Sequence, residues 1–145
     1  MSKKEYPLLY SLGTSVRSEG EFIELLRTYS IRTVVDVRSF PTSRLEHFKR
    51  ENLEILLARS GIRYVYLGKE LGGFRKGGYE SYTSTEHFLS GIEKLEHIAQ
   101  EGSTVFICAE RFPWRCHRRF IGNVLKERGW RVVHIIDKDR VWEPL

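Results

Sequence analysis

The sequence predicts a three-layer α/β/α fold, a mostly parallel five-stranded sheet with helices on both faces. Three observations carry that prediction. Short β-branched runs alternate with segments whose apolar residues recur at helical spacing, in the order β-α-β-α-β-α-β-α-β. Runs such as Val34 to Val37 and Val105 to Cys108 are apolar almost without interruption, as strands covered on both faces are. No internal repeat or linker divides the 145 residues, so residues 1–145 read as a single domain, long enough to bury a core without staples.

Taken in order, Pro7 to Leu12 is a short strand that runs into Gly13-Thr14-Ser15. Ser18 and Glu21 have the spacing of a capping box, and Phe22, Leu25, Leu26 and Tyr29 then mark one helix face. Ile31 to Val37 is the clearest strand. After it, Ser43 and Glu46 suggest a second capping box, with a break near Lys49 to Asn52 and a face of Leu53, Leu56 and Leu57. Ile62 to Leu67 is the third strand. The glycine-rich run from Gly68 to Tyr79 has no period and reads as a mobile flap. Thr83 with Glu86 would cap a helix striped by Phe88, Ile92, Leu95 and Ala99. A strand from Thr104 to Cys108 precedes a helix from about Cys116 to Arg128, which Gly129 stops. Trp130 to Ile136 is the fifth strand, and the chain closes in a tail around Trp142.

Composition narrows the classes of function. No apolar run reaches the roughly 18 residues of a membrane helix, and no signal-type apolar stretch follows Lys3-Lys4. A cytoplasmic location without a membrane partner is the expectation. The formal charge of +5, with sixteen arginines against eight lysines, leans toward a phosphate-bearing small molecule or nucleic acid as partner. Two cysteines in such a chain read as free thiols, while their place in one loop leaves a redox pair open.

In parallel sheets, ligands bind beyond the carboxyl ends of the strands, where the strand order reverses. The polar residues of this chain gather at those ends. Cys116 would stand in the first turn of the fourth helix, beside Arg115 and Arg118, where a thiol is acidified and can act as nucleophile. His117 shares a helical face with Ile121, Val124 and Leu125 and so points toward the sheet. It is either a buried histidine that orients the loop or a general acid-base beside Cys116 or Glu110. Asp36 stands in an apolar strand, where a carboxylate needs a partner. Arg38 or Arg44 would serve, or Asp36 and Glu110 could form a carboxylate pair for acid-base chemistry or for Mg²⁺. Ser43 and Arg44 would open a helix that offers a second anion-binding end, and Ser43 is equally an ordinary cap. Gly72 and Gly73 lie in the glycine-rich run, which matches neither a Walker A loop nor a dinucleotide fingerprint. Arg115 is one position too far from Cys108 for the cysteine-x5-arginine cradle of protein phosphatases, and the Cys-x7-Cys-His spacing lacks a second pair of zinc ligands, so no metal site is assigned. No residue pattern names a cofactor.

Five pieces of the chain resemble one family, the domain of unknown function 488. They are Ser11 to Ser15, Val34 to Arg44, Gly61 to Tyr64, Leu67 to Gly73 and Ile107 to Arg118, in the expected order. The most specific are Asp36-Val-Arg38 with Pro41 and Ser43-Arg44, and Cys108-Ala-Glu110 with Cys116-His117-Arg118. The resemblance implies an α/β three-layer fold and a site built from these motifs, and it implies no reaction. Taken together, the residues point first to an enzyme acting on a phosphate-bearing substrate. In it, Arg38, Ser43, Arg44, Gly72, Gly73, Arg115 and Arg118 would bind, and Asp36, Glu110, Cys116 and His117 would react. The alternatives are a non-catalytic nucleic-acid-binding module, with Arg75, Arg111, Arg115, Arg118 and Arg119 on phosphates and Trp114, Phe112, Phe74 or Phe40 for stacking, and a thiol-redox or sulfur-transfer protein.

Overall fold

The computed structural model describes residues 7–144; Lys3 and Lys4 lie outside the described residues. Its sheet has the strand order β3-β2-β4-β1-β5-β6. Strands β1 (Leu8–Gly13), β2 (Thr33–Asp36), β3 (Arg63–Tyr66), β4 (Thr104–Cys108) and β5 (Arg131–Asp137) run parallel, as the alternating pattern predicts. A sixth strand, β6 (Arg140–Trp142), turns back antiparallel on β5. Three residues are too few to show a period, so the sequence presents them as a tail. Trp142 anchors the hairpin by packing on His134 and edge-on to Trp114.

Each strand face feeds one core. In β4, Val105 and Ile107 pack with Leu26, Leu53 and Leu57 on the side of α1 (Glu19–Thr28) and α2 (Arg50–Arg59). Phe106 and Cys108, out of phase by one residue, pack on the opposite side with Leu71, Ile92, Leu95 and Ile121. That second layer contains α3 (Gly68–Leu71), α4 (Tyr79–Tyr82), α5 (Glu86–Glu101) and α6 (Arg118–Glu127). The result is the expected three-layer α/β/α arrangement. No helix among the described residues is long and apolar enough to cross a membrane.

Helix starts follow local chemistry where the cap is a true side-chain acceptor. Ser18 and Glu21 form the predicted capping box. The box expected at Ser43 and Glu46 does not form. The Ser43 hydroxyl instead accepts from the Leu45 N–H within a turn, Glu46–Phe48 makes one 3-10 turn, and α2 begins after Lys49 without a side-chain cap. The break near Lys49 is therefore real, and its cause is Phe48, which is wholly buried and ties the 3-10 turn into the core. Thr85, not Thr83, caps α5 by accepting from the Phe88 N–H. The fourth predicted helix starts later than expected, at Arg118. Cys116 is extended and His117 is its N-cap residue.

The glycine-rich run is not an unstructured flap. It contains α3 and leads into α4, and Arg75 ties it together by donating to the carbonyls of Gly72 and Lys69 while its guanidinium covers the Tyr82 ring at 4.0 Å. Gly13 is required by close approach, since a Cβ there would meet the Glu110 carbonyl oxygen at 1.9 Å. That approach lays the loop after β4 across the end of β1, where Thr14 and Ser15 N–H groups continue the pairing to the carbonyls of Cys108 and Ala109.

Candidate active site

Connections leaving β2 and β4 diverge to opposite sides of the sheet, which opens a crevice between their carboxyl ends. A cleft of about 440 Å³ occupies that position. The segment after β2 supplies Arg38, Ser39 and Phe40; the segment after β4 supplies Cys108, Ala109 and Glu110. The glycine-rich segment contributes Gly73, Phe74, Arg75 and Tyr79, and the start of α6 contributes Arg115, Cys116 and His117. Of the predicted site residues, Arg38, Gly73, Glu110, Arg115, Cys116 and His117 thus line one space, and Asp36, Ser43, Arg44, Gly72 and Arg118 do not.

Asp36 is wholly buried beneath the cleft. Its carboxylate accepts from Arg38 Nε (2.9 Å), Arg38 Nη2 (2.8 Å), the Arg38 N–H (3.1 Å) and the Tyr64 hydroxyl (2.6 Å). Both oxygens are used, so the pairing with Glu110 is not formed. Arg38 in turn gives Nη1 to the Phe48 carbonyl at 2.7 Å and has its charge neutralised before any ligand arrives. Glu110 is exposed at the rim, where it accepts from the Phe112 N–H at 3.3 Å. Ser43 and exposed Arg44 do not line the cleft. Gly72 is buried against Ser39, where a Cβ would fall 2.3 Å from the Ser39 hydroxyl, so its part is to let the two loops meet.

Cys116 and His117 make the most chemically specific contact. Nε2 of His117 lies 2.8 Å from the Val37 carbonyl, which accepts only from a protonated nitrogen. That bond assigns the proton to Nε2 and leaves the lone pair on Nδ1. Nδ1 faces the Cys116 sulfur at 3.5 Å. Burial, with the nearby Arg118 and Arg75 charges, pulls the imidazole down to about 4, against the opposing pull of the Val37 bond, so the ring is neutral at pH 7. The Cys116 sulfur also receives the Arg118 N–H at 3.5 Å, the first amide of α6. Gly73 covers the imidazole so closely that a Cβ would stand 3.2 Å from Nδ1, and Tyr79 meets the ring edge-on at 5.1 Å between centroids. The orienting and the acid-base readings of His117 describe the same contact set.

The second thiol is part of this site. The structure joins Cys108 and Cys116 as a disulfide, so the expectation of two free thiols gives way to the redox pair that their shared loop left open. Arg118 is wholly buried, reaches Cys108 and does not line the cleft. Sequence reasoning names Ser11 only as the start of a family-like motif and gives His134 no role; both lie behind Arg118, whose Nη1 donates to the Ser11 hydroxyl at 2.8 Å, and Ser11 meets His134 Nδ1. A polar residue inside an apolar strand, the signal that singles out Asp36, marks both of them too. Phe40 and Phe74 were likewise expected only as candidates for stacking. They form an exposed lip with ring centroids 5.9 Å apart, and Phe74 is 89% exposed with φ +57°. Among the described residues, no group of three histidine, cysteine, aspartate or glutamate side chains is placed to hold a metal ion.

The motifs that form this cleft lie within residues 19–125, the span matched by the family model described as Domain of unknown function DUF488. The chain belongs to the DUF488 family. No curated protein and no solved structure matches the chain. The DUF488 match begins after Ser11 to Ser15, so Ser11, Gly13 and the strand that carries them stand outside it, as do β5 with His134 and β6.

Proposed function

We propose that the cleft is the site of a thiol-dependent enzyme acting on an anionic substrate, with a phosphate-bearing compound such as a nucleotide as the class that fits best. The observation that carries this reading is the Cys116–His117 contact. A neutral imidazole whose free lone pair faces a thiol can take its proton because the thiolate formed beside it offsets the burial that otherwise disfavours the imidazolium. The Arg118 amide at the start of α6 favours that thiolate. Arg115 is the exposed cation of the cleft lining and supplies the charge for an anionic group. Phe40 and Phe74 offer flat apolar surface for the rest of the substrate. Asp36 and Arg38 support the loop from below.

The alternative of a nucleic-acid-binding module has less to stand on. Arg111 pairs with Asp137, Arg118 is buried, and Arg75 is turned onto backbone carbonyls, so three of its five phosphate contacts are committed inside the fold. The redox or sulfur-transfer reading is favoured by the pairing of Cys108 with Cys116.

Thermal unfolding with inorganic phosphate, sulfate, nucleotides and short oligonucleotides tests the substrate class. A nucleotide at about 100 times its Kd is expected to add about 2.7 kcal/mol of stability, and Arg115→Ala to remove most of that gain. In the reduced protein iodoacetamide should label Cys116 first, and His117→Gln should slow that labelling about tenfold at neutral pH. Equal labelling in the two proteins removes His117 as the base. Absence of stabilisation by every phosphate compound removes the substrate class.

A further inference from the structure

Arg118 places a guanidinium in the interior with 0% of the residue exposed. Its Nη1 donates to the Ser11 hydroxyl at 2.8 Å, and Nη2 donates to the carbonyls of Glu110 at 2.7 Å and Arg111 at 3.2 Å. None of those partners is an anion. A buried cation left without a counter-charge is strongly destabilising. Burial lowers the guanidinium to about 9, which still leaves it charged at pH 7. The surrounding titratable groups do not neutralise it by contact. The Glu110 carboxylate favours the cation through space but does not touch it, being exposed and bonded to the Phe112 N–H; Arg17 adds positive charge, and His134 and His117 are neutral. One contact remains: Nε points at the Cys108 sulfur at 2.9 Å. Cys108, 2% exposed and with its sulfur also 3.7 Å from the Glu110 carbonyl oxygen, is among the described residues the one partner of this guanidinium that can become an anion.

We propose that Arg118 holds Cys108 as a thiolate, the resolving thiol of a Cys108–Cys116 centre, and that the anionic substrate reacts at sulfur through an S–S bond. This rests on the reading of Cys116 as the nucleophile. The Cys116 thiolate attacks one sulfur of R–S–S–R′, forms Cys116–S–S–R and expels R′–S⁻, which takes up the proton that His117 received from Cys116. The Cys108 thiolate then attacks the Cys116 sulfur, expels R–S⁻ and leaves the Cys108–Cys116 disulfide that the structure shows. Two electrons pass from the dithiol to the substrate, and an external low-molecular-mass thiol restores the dithiol by the reverse exchange. The location of Cys108 is what selects sulfur. Attack on the sulfur of a Cys116–S–X adduct requires X to leave with the bonding pair, which a thiolate does and an acyl carbon or a phosphoryl phosphorus does not.

Dithiobis-nitrobenzoate, an aromatic disulfide that bears carboxylates, is a suitable probe because each exchange releases a coloured thiolate. The reduced full chain is expected to release two equivalents, the second without added thiol, and to finish without an adduct by mass. Cys108→Ser should release one and keep the adduct on Cys116. Between about pH 8 and about pH 6 the second phase in the native sequence should hold its rate, whereas an ordinary thiol slows about tenfold per pH unit. Arg118→Met should restore that slope; if that variant does not fold, the native pH profile decides by itself. A single equivalent, two retained adducts, or a second phase with the slope of an ordinary thiol overturns the role of Cys108. A first phase that persists at its native rate in Cys116→Ser overturns the nucleophile instead.

Discussion

Asp36→Ala is expected to destabilise the fold by about 3–5 kcal/mol, read from urea unfolding at neutral pH. The carboxylate is wholly buried and takes four hydrogen bonds, three from Arg38 and one from Tyr64. Its removal leaves the Arg38 charge buried at 4% exposure with only the Phe48 carbonyl as acceptor. It also strips the Tyr64 hydroxyl of its partner. Asp36→Asn should cost less than alanine, because the amide oxygen still accepts, yet more than a surface change, because the charge is gone. Glu110→Ala is the contrast: an exposed carboxylate with one long backbone contact should change stability by no more than about 0.5 kcal/mol. A cost for Asp36→Ala as small as that for Glu110→Ala would free Asp36 for the acid-base role that its sequence position suggests.

Acid should destabilise the protein well before its carboxylates titrate. His134 is buried against Ser11 and Trp142, and burial together with the Arg118 charge lowers its imidazole to about 3. His117 is lowered to about 4, chiefly by burial. Both lie below the ordinary value of about 6.5. Between those values the unfolded chain takes up protons that the folded chain refuses. The stabilisation is therefore complete above about pH 6.5 and is lost as pH falls toward 4 and then 3. By about pH 4 the loss should be roughly 3 kcal/mol from His134, and less from His117, which is part-open to the cleft. Unfolding free energies measured from about pH 7 down to about pH 4 read the effect directly. A flat profile across that window would mean that both rings are hydrated and protonated without penalty in the folded protein.

Much of the site was legible from local pattern. A strand-loop-helix junction holding both cysteines, His117 and Glu110 can be read from one continuous stretch, and its place at a strand end follows from the β-α alternation. The same reading overcounts binding arginines. Arg38, Arg75, Arg111 and Arg118 look alike in sequence, and in the structure each is drawn inward by a different acceptor: Asp36, the α3 carbonyls, Asp137 and Cys108. Arg115 is left facing the cleft. Caps fail in the same way where the core competes, as Phe48 does with the helix start expected at Ser43.

What the sequence determined by itself was the set of elements and the two faces that each must bury, because apolar periodicity is a local property of the chain. It also determined that the polar residues collect at strand ends. Only the tertiary structure decided the pairings that turn those residues into a site. Tyr64 reaches Asp36 across 28 positions, the Val37 carbonyl sets the His117 tautomer across 80, and Ser11 meets Arg118 across 107. Those separations follow from the strand order β3-β2-β4-β1-β5-β6. That order is chosen by how whole faces pack, and no window of neighbouring residues carries it.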